Sequence, residues 1–252
     1  MVCDTLLRGM MMQIGVIGTG TIATAVIHGI AGDDHEIFIS ARNAQNAQLL
    51  SDRYDNVHIC DNQQIIDRSD LIFLGLMPDV ATTILPDLSF TKNQIIISFI
   101  ADLTLEAVNV LVAPAQAQAM MLPYPNIAHG HSVIPLMGDK TMIEQVFGQK
   151  HALTILQSQS EINALLCAQA VLSPVAKMID DTAKWLAENG VEKQRGEPFL
   201  RLLVASNLQG LAASDLLESL NTEGGYNQRL RQHMDEAGVP KALYDGLDKL
   251  SE

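Results

Sequence analysis

The chain has 252 residues, 48% of them hydrophobic, which is enough for one large or two ordinary globular domains with a substantial core. Its formal net charge is −13 at pH 7, and no basic cluster stands out, so the sequence excludes a broad nucleic-acid-binding face. Three widely spaced cysteines without a C-x-x-C pair indicate a reducing compartment and argue against disulfides or a zinc site. We therefore expect a cytoplasmic protein that binds no nucleic acid.

The opening ten residues carry Asp4 and Arg8 and contain no long apolar run. This composition is typical of neither a signal peptide nor a membrane span, so we predict no membrane association. We expect residues 1–11 to form a disordered N-terminal extension and the fold to begin near Met12.

A glycine-rich segment, Gly18–Ala23, follows the apolar run Gln13–Ile17 and opens a helical pattern that continues to Ile30. Its G-x-G-x-x-A pattern is typical of a dinucleotide-binding loop. The first glycine allows a tight turn, the second lets a phosphate approach the backbone, and the small third residue lets helix and strand pack closely. The helix N-terminus then directs free N–H groups at the pyrophosphate. The alternative is a glycine turn of purely structural meaning. The predicted cofactor contacts are Gly18, Thr19, Gly20, Thr21 and Ile22.

Between residues 12 and 157, short apolar runs alternate with amphipathic stretches, as expected for an N-terminal Rossmann domain with a doubly wound α/β sheet. The runs at Leu71–Leu74 and Ile95–Ile97 are continuously apolar, which indicates parallel strands covered by helices on both faces. The predicted strands span Gln13–Ile17, Glu36–Ser40, Val57–Ile59, Leu71–Leu76, Gln94–Phe99, Gln118–Leu122 and Ser132–Met137, with helices such as Ala44–Tyr54 and Leu103–Val112.

Residues 158–252 show no strand signal and are predicted to form an all-helical C-terminal dimerisation domain. Glycines and prolines mark the ends of the predicted helices. These helices span Glu161–Asn189, Pro198–Leu220 and Tyr226–Ala237, and a last one runs from Pro240 to the C-terminus. The second helix is apolar on several faces, so it needs several packing partners. We expect it to be shared in a homodimer or higher homo-oligomer. The alternative is that the helices pack on the Rossmann domain alone.

The cofactor preference follows from the end of the second predicted strand, about 20 residues beyond the glycine loop. NAD-binding domains usually carry a carboxylate there for the ribose 2′-hydroxyl. This chain has Ser40 and Arg42 instead, and no acid. A hydroxyl and a guanidinium two residues apart could both bind a 2′-phosphate. We therefore predict NADP(H) as the cofactor. The alternative is a site that also accepts NAD(H), in which Arg42 is an ordinary exposed residue.

Together these segments resemble the pyrroline-5-carboxylate reductases, which complete proline synthesis by reducing a cyclic imine with NAD(P)H. The resemblance covers nearly the whole chain from Met12. The glycine loop and Ser40-Ala41-Arg42 are similar to the family's motifs, and Gly75-Leu76-Met77-Pro78 stands where the family has Ala-Val-Lys-Pro. Ser98–Ala101 stands where it has Ser-x-Ala-Ala. The resemblance implies further cofactor contacts at Asn62, Leu76, Met77, Pro78 and Ala101.

The resemblance also implies where a small substrate with a carboxylate binds, in segments that depart from the family. Leu122–Asn126 stands for the family's Met-Pro-Asn-Thr-Pro and Glu223–Asn227 for its Pro-Gly-Gly-x-Thr; Asn227 replaces a hydroxyl and Tyr226 adds bulk. We expect backbone N–H groups at Gly224 and Gly225 to bind the carboxylate, and a tight helix–helix turn is the alternative. The implied reaction reduces 1-pyrroline-5-carboxylate to proline. The implied substrate residues are Pro123, Asn126, Thr222, Gly224 and Gly225, with Asn227 as a catalytic residue.

Other functions stay open. Ala176–Asp181 is similar to the Ala-Lys-x-x-Asn-Asn helix of β-hydroxyacid dehydrogenases, whose lysine aids proton transfer. Lys177 would then be catalytic, in such a dehydrogenase or in another imine reductase, unless it is a surface lysine paired with an aspartate on its own helix. A dinucleotide-binding sensor without turnover is also possible, because Met77 replaces the family's lysine. His129 and His131 lack a third ligand at suitable spacing, so no metal site is predicted.

Overall fold

The computed structural model describes residues 11–251 in two compact units, one ending at Gln159 and the other beginning at Ser160. The predicted N-terminal extension lies outside these residues except for Met11, whose side chain is exposed. The domain limits of 12–157 and 158–252 remain predictions.

The first unit contains the strands of a single sheet and the helices that connect them. The strands are β1 (Gln13–Ile17), β2 (Glu36–Ser40), β3 (Val57–Cys60), β4 (Leu71–Leu74), β5 (Ile95–Ser98), β6 (Gln116–Met121), β7 (Val133–Gly138) and β8 (Ala152–Leu156). The α-helices are α1 (Thr21–Ile30), α2 (Ala44–Arg53), α3 (Asn62–Arg68), α4 (Pro78–Ile84), α5 (Leu105–Leu111) and α6 (Thr141–Phe147). Short 3-10 helices lie at Leu85–Asp87 and Pro125–His129.

The sheet has eight strands in the order β3-β2-β1-β4-β5-β6-β7-β8. Neighbouring strands are parallel except for β6 and β7, which run antiparallel. The strand order reverses between β1 and β4, and doubly wound sheets bind ligands at such a switch point, beyond the carboxyl ends of the strands. The predicted fold class, a Rossmann sheet followed by a helical region, is confirmed.

Two hydrophobic cores cover the two faces of this sheet, because successive strand residues point to opposite sides. In β4, Leu71 and Phe73 belong to one cluster and Ile72 and Leu74 to the other. All four side chains are almost completely buried. The continuously apolar strand pattern therefore reflects burial on both faces, as the sequence predicts.

The second unit, from Ser160 onward, consists of helices, the first of which begins one residue earlier, at Gln159. They are α7 (Gln159–Ala168), α8 (Leu172–Glu188), α9 (Lys193–Gly210), α10 (Ala213–Ser219), α11 (Tyr226–Glu236) and α12 (Val239–Ser251), and a 3-10 turn at Gln169–Val171 joins α7 to α8.

The stretch Gln159–Glu188 is long and apolar enough to cross a membrane by length and composition alone, which is weak support for a span. Its C-terminal half is charged. Hydrogen bonds from Lys184 at 2.5 Å and Lys193 at 2.7 Å lower the pKa of Asp180 to about 2.

The helical unit leaves much of its apolar surface exposed. Among its described residues, the fully buried apolar side chains are those of Ile162 and Ala183, whereas Phe199 is 60% and Leu202 is 66% exposed. Other large apolar side chains that are at least half exposed belong to Leu172, Trp185, Leu208, Leu217, Leu230 and Leu250. Apolar surface of this extent is typical of a protein–protein interface.

The predicted elements differ from the observed ones in three places. The helix predicted over Glu161–Asn189 is divided into α7 and α8 by the 3-10 turn at Gln169–Val171. The predicted strands agree with β1 to β7 within two residues at each end, but β8 is missing from the prediction because this short edge strand is partly exposed and has a weak pattern. The predicted helix Pro198–Leu220 is wrong. Helix α9 begins at Lys193, with Pro198 inside it, and ends at Gly210 because Leu211 takes an extended backbone before α10.

The 3-10 helix at Pro125–His129 packs on α1 because Gly29 has no side chain. A Cβ atom at Gly29 would lie 2.7 Å from the backbone oxygen of Ile127, whose side chain is completely buried. Helix α1 begins at the predicted dinucleotide loop, and the 3-10 helix contains the predicted substrate residue Asn126. Gly29 therefore fixes the packing between the segments that carry these two predicted sites.

We expect Gly29→Ala to lower the free energy of unfolding by about 1–3 kcal/mol, because backbone atoms must shift to admit the methyl group. This loss outweighs the gain of up to about 1 kcal/mol for alanine in a helix. Urea denaturation followed by circular dichroism measures the change. Gly32→Ala is the matched control, since no atom lies within 4 Å of its Cβ position. Equal stability of the two variants would contradict this packing.

Candidate functional site

A cleft of about 450 Å³ lies at the carboxyl ends of β1 and β4, where the strand order reverses. Three segments form it: the loop between β1 and α1, the segment after β2, and the segment after β4. The lining residues are Gly18, Thr19, Gly20, Arg42, Asn43, Ala44, Gly75, Leu76, Met77 and Val80. This is the position at which a doubly wound sheet binds a nucleotide.

Gly18 lies where no other residue fits. Its φ angle is +101°, a conformation that favours glycine, and a Cβ atom there would lie 2.2 Å from the backbone oxygen of Gly75. Gly75 is equally constrained, because its own Cβ would lie 2.8 Å from the Cβ of Ala23. The first glycine and the small third residue of the motif therefore both pack against the chain leaving β4. Their pattern is explained by close approach of backbone, as the sequence predicts.

Gly20 has the opposite environment. No atom lies within 4 Å of its Cβ position, and it caps α1 in an extended conformation with no side chain capping the helix. The first turn of α1 contains no acidic residue, so the N–H groups of Thr21 and Ile22 lie at an uncapped, electropositive helix start. These features fit the pyrophosphate of a dinucleotide, because the open space above Gly20 lets a phosphate reach the N–H groups.

The predicted pair Ser40 and Arg42 divides into two roles. Ser40 is 2% exposed, and its Oγ accepts a hydrogen bond of 2.8 Å from the N–H of Gly18. Its hydroxyl oxygen therefore holds the glycine loop in place through this hydrogen bond. Arg42 is exposed, lines the cleft and makes no hydrogen bond or ion pair with residues 11–251. Of the predicted pair, the guanidinium is thus the group with no partner among these residues, and its role at a 2′-phosphate stays a prediction.

The remaining predicted cofactor residues fall into two groups. Leu76 and Met77 line the cleft, and the side chain of Met77 is 68% exposed. Asn62 begins α3, Pro78 begins α4, and Ala101 lies in the turn after β5, so all three follow carboxyl ends of strands, but they do not line the cleft. Their roles remain predictions. Four further residues line the cleft that were not predicted as cofactor contacts: Asn43, Ala44, Gly75 and Val80. Of these, Gly75 begins the segment Gly75-Leu76-Met77-Pro78, which corresponds to a family motif.

The predicted substrate residues of the first unit follow β6. Pro123 is buried, and Asn126 is exposed in the 3-10 helix that packs on α1. Tyr124, between them, is partly buried, and this burial raises the pKa of its hydroxyl above the usual value. Neither Pro123 nor Asn126 lines the cleft around Gly18.

The predicted substrate turn of the second unit lies just before α11. Thr222 and Asn227 are exposed. The N–H of Gly224 donates to Oε1 of Gln228 at 2.8 Å, and the N–H of Gly225 donates to the backbone oxygen of Thr222 at 3.0 Å. Both glycine N–H groups thus have partners already, contrary to the expectation that they face a carboxylate. The free donors at this turn belong instead to the first turn of α11, which no side chain caps.

Lys177, the candidate of the alternative mechanism, lies on α8 with its side chain 66% exposed and paired with Asp181 one turn later. This is the surface pairing that the spacing of the two residues allows. Across residues 11–251, no group of three or more His, Cys, Asp and Glu side chains is placed to hold a metal ion.

Known proteins are similar to this chain in sequence and in fold. A family model described as NADP oxidoreductase coenzyme F420-dependent matches residues 13–102. Pyrroline-5-carboxylate reductase of Corynebacterium melassecola is 23% identical and aligns over 93% of this chain and 94% of its own length.

Two solved structures cover nearly the whole chain. The 1-pyrroline-5-carboxylate reductase of Streptococcus pyogenes matches with a TM-score of 0.78 and 22% identity, over 95% of this chain and 96% of that one. The pyrroline carboxylate reductase of Plasmodium falciparum, solved with NADP bound, matches with a TM-score of 0.81 and 13% identity, over 96% of this chain and 97% of that one. This chain therefore shares the fold of both solved chains over nearly their whole length.

We expect Gly20→Ala to weaken NADPH binding alone and Gly18→Ala to reduce both stability and binding. Gly20→Ala should keep the stability of the unaltered protein, because its methyl group meets no atom within 4 Å, yet weaken NADPH binding about tenfold or more by occupying the space of a phosphate. Gly18→Ala should lose both stability and binding. Titration calorimetry and urea denaturation measure the two properties. Unchanged NADPH affinity in Gly20→Ala would contradict the position assigned to the pyrophosphate.

Proposed function

We infer that the chain is a divergent member of the pyrroline-5-carboxylate reductase family and that it reduces 1-pyrroline-5-carboxylate to proline with NADPH. The observation that carries this inference is the cleft between β1 and β4, whose glycine loop fits a pyrophosphate beside a free guanidinium. The similarity to pyrroline-5-carboxylate reductases over 93% of the chain supports the same function. The cofactor is NADP(H), as in the Plasmodium falciparum structure solved with NADP bound.

The residues of the chain bind and orient the two reactants. The loop from Gly18 to Gly20 and the start of α1 hold the pyrophosphate, and Arg42 holds the 2′-phosphate. NADPH, when bound, supplies the hydride. The N–H groups in the first turn of α11 bind the substrate carboxylate, and Asn227 positions the ring through its amide. A cyclic imine can take its proton from water before it binds, so reduction of the C=N bond requires orientation more than a protein acid.

The position of Lys177 bears on the alternative functions. A dehydrogenase mechanism requires Lys177 to reach a substrate oxygen, but its ammonium pairs with Asp181 on an exposed helix surface. Reduction of an imine carboxylate is therefore favoured over hydroxy-acid oxidation. The similarity to a pyrroline-5-carboxylate reductase over 93% of the chain favours it over a sensor without turnover. Met77 in place of the family's lysine marks the cofactor side of this chain as divergent.

We also propose that the chain forms a homodimer or higher homo-oligomer in the cytoplasm. The large exposed apolar side chains of the helical unit support this proposal, because they would be covered by the same unit of another copy. The charged half of α8, with its lysine–aspartate pairs, favours a protein partner over a lipid one. The three widely spaced cysteines, without a C-x-x-C pair, agree with a reducing compartment.

We expect the purified protein to oxidise NADPH when 1-pyrroline-5-carboxylate is added, and to form proline in equal amount. Absorbance at the nicotinamide band and amino-acid analysis measure the two. Hydroxy acids with NADP serve as the control substrates. Turnover of hydroxy acids alone would contradict the proposal in favour of the dehydrogenase, and NADPH binding without any turnover would favour the sensor.

We expect Leu202→Lys to shift the protein toward a monomer, because it places a charge on an apolar side chain that is 66% exposed in the single chain. Sedimentation velocity at several protein concentrations measures the change. Gln194→Lys adds the same charge at an exposed position near the start of α9 and should leave the oligomer intact. A monomeric unaltered protein would rule out the oligomer.

A further inference from the structure

Three hydrogen bonds join the glycine loop to the segment that carries Arg42. The N–H of Gly18 donates to Oγ of Ser40 at 2.8 Å, and Oγ1 of Thr19 donates to the backbone oxygen of Ser40 at 3.5 Å. The third bond comes from Asn46, whose Nδ2 donates to the backbone oxygen of Thr19 at 2.8 Å. The first two lie at the end of β2, before Arg42, and the third lies after it.

Asn46 is well placed to hold this connection. It is the third residue of α2, its own N–H donates to Oδ1 of the N-cap Asn43 at 3.2 Å, and its side chain is partly buried. The helix start is therefore fixed by a cap, and the side chain reaches from it to the loop. Arg42 lies between the two anchored points, Ser40 and Asn46. Its backbone thus has a set distance from the N–H groups that face a pyrophosphate.

We propose that Asn46 is a positioning residue that holds the Arg42 segment in register with the glycine loop and so contributes to selection of NADPH over NADH. This inference rests on the proposed function in two respects, namely that the cleft binds a dinucleotide and that Arg42 meets the 2′-phosphate of NADPH. The two coenzymes share the pyrophosphate, but NADPH alone carries the 2′-phosphate that Arg42 meets. Loss of the hydrogen bond from Asn46 to Thr19 weakens the binding of both coenzymes, because both contact the glycine loop. It weakens NADPH further, because only the 2′-phosphate of NADPH depends on the spacing between the loop and Arg42.

The test is a mutant cycle on the full chain, with affinities for NADPH and NADH measured by titration calorimetry. We expect Asn46→Ala to weaken NADPH about tenfold and NADH about threefold, so that selectivity falls about threefold. In the Arg42→Ala background, the same substitution should weaken both coenzymes by the same factor, because the group that reads the 2′-phosphate is gone. Adenosine 2′,5′-bisphosphate, which has the 2′-phosphate without the pyrophosphate, should lose affinity in Asn46→Ala only when Arg42 is present.

Gln45→Ala is the matched control, because Gln45 is the exposed neighbour of Asn46 in the same helical turn and its side chain makes no hydrogen bond with residues 11–251. Asn46→Ser is the second variant, since serine suits a helix start but is too short to reach Thr19, and it should reproduce the loss of selectivity. Circular dichroism checks that each variant is folded.

Equal weakening of NADPH and NADH by Asn46→Ala in the unaltered background would overturn the inference, as would a loss of selectivity that persists without Arg42. Either result would leave the proposed function intact. Failure to reduce 1-pyrroline-5-carboxylate with coenzyme binding retained would overturn the proposed function and leave this inference standing. If the unaltered protein binds neither coenzyme, both are wrong.

Discussion

The structure depends on the close approach of backbone where β1, β4 and α1 meet. Gly18 and Gly75 lie so near each other that a single methyl group on Gly18 would come within 2.2 Å of the Gly75 oxygen, and Ala23 closes the same junction from the helix. Because no side chain separates them, the loop after β1 and the chain after β4 form two walls of one cleft. The position of the uncapped helix start follows from this junction, and the hydrogen bonds from Gly18 and Thr19 to Ser40 tie the Arg42 segment to it.

We propose that the cleft recognises phosphate in two ways, from two separate elements. Backbone N–H groups at the start of α1 are positioned to bind phosphate through dipoles and hydrogen bonds, which requires only small residues and an uncapped helix. In the same proposal Arg42, from the segment after β2, binds phosphate through charge. Ser40, whose hydroxyl oxygen is committed to Gly18, belongs to the support of the first kind rather than to the second.

The sequence predicted the features that local rules determine. The glycine loop, seven of the strands and the parallel pairing of β4 with β5 follow from residue type and periodicity, and the structure agrees with them. Strand β8 was not predicted because an edge strand needs only one buried face, and its hydrophobic pattern is correspondingly weak. The helix break at Leu211 was not predicted because α9 and α10 both carry apolar residues, so periodicity alone did not separate the two helices.

Side-chain partners could not be read from the sequence. Gly224 and Gly225 look available for a ligand, but a glutamine one turn later and a threonine just before them take up their N–H groups. Asn46 resembles any polar residue on an exposed helix until its amide is seen against Thr19. Partners of this kind depend on the distance between elements that are far apart in the chain, and residue spacing does not determine that distance.

The scarcity of positive charge in the cleft determines the range over which the coenzyme is attracted. The chain carries a net charge of −13, and NADPH is itself an anion, so the two repel each other at long distance. The attraction from N–H dipoles decays within a few ångströms, and one guanidinium cannot offset the field of the whole molecule. Dissolved salt screens the repulsion while leaving the contact hydrogen bonds largely intact. The coenzyme is therefore recognised on contact rather than steered from a distance, and moderate ionic strength helps it to arrive.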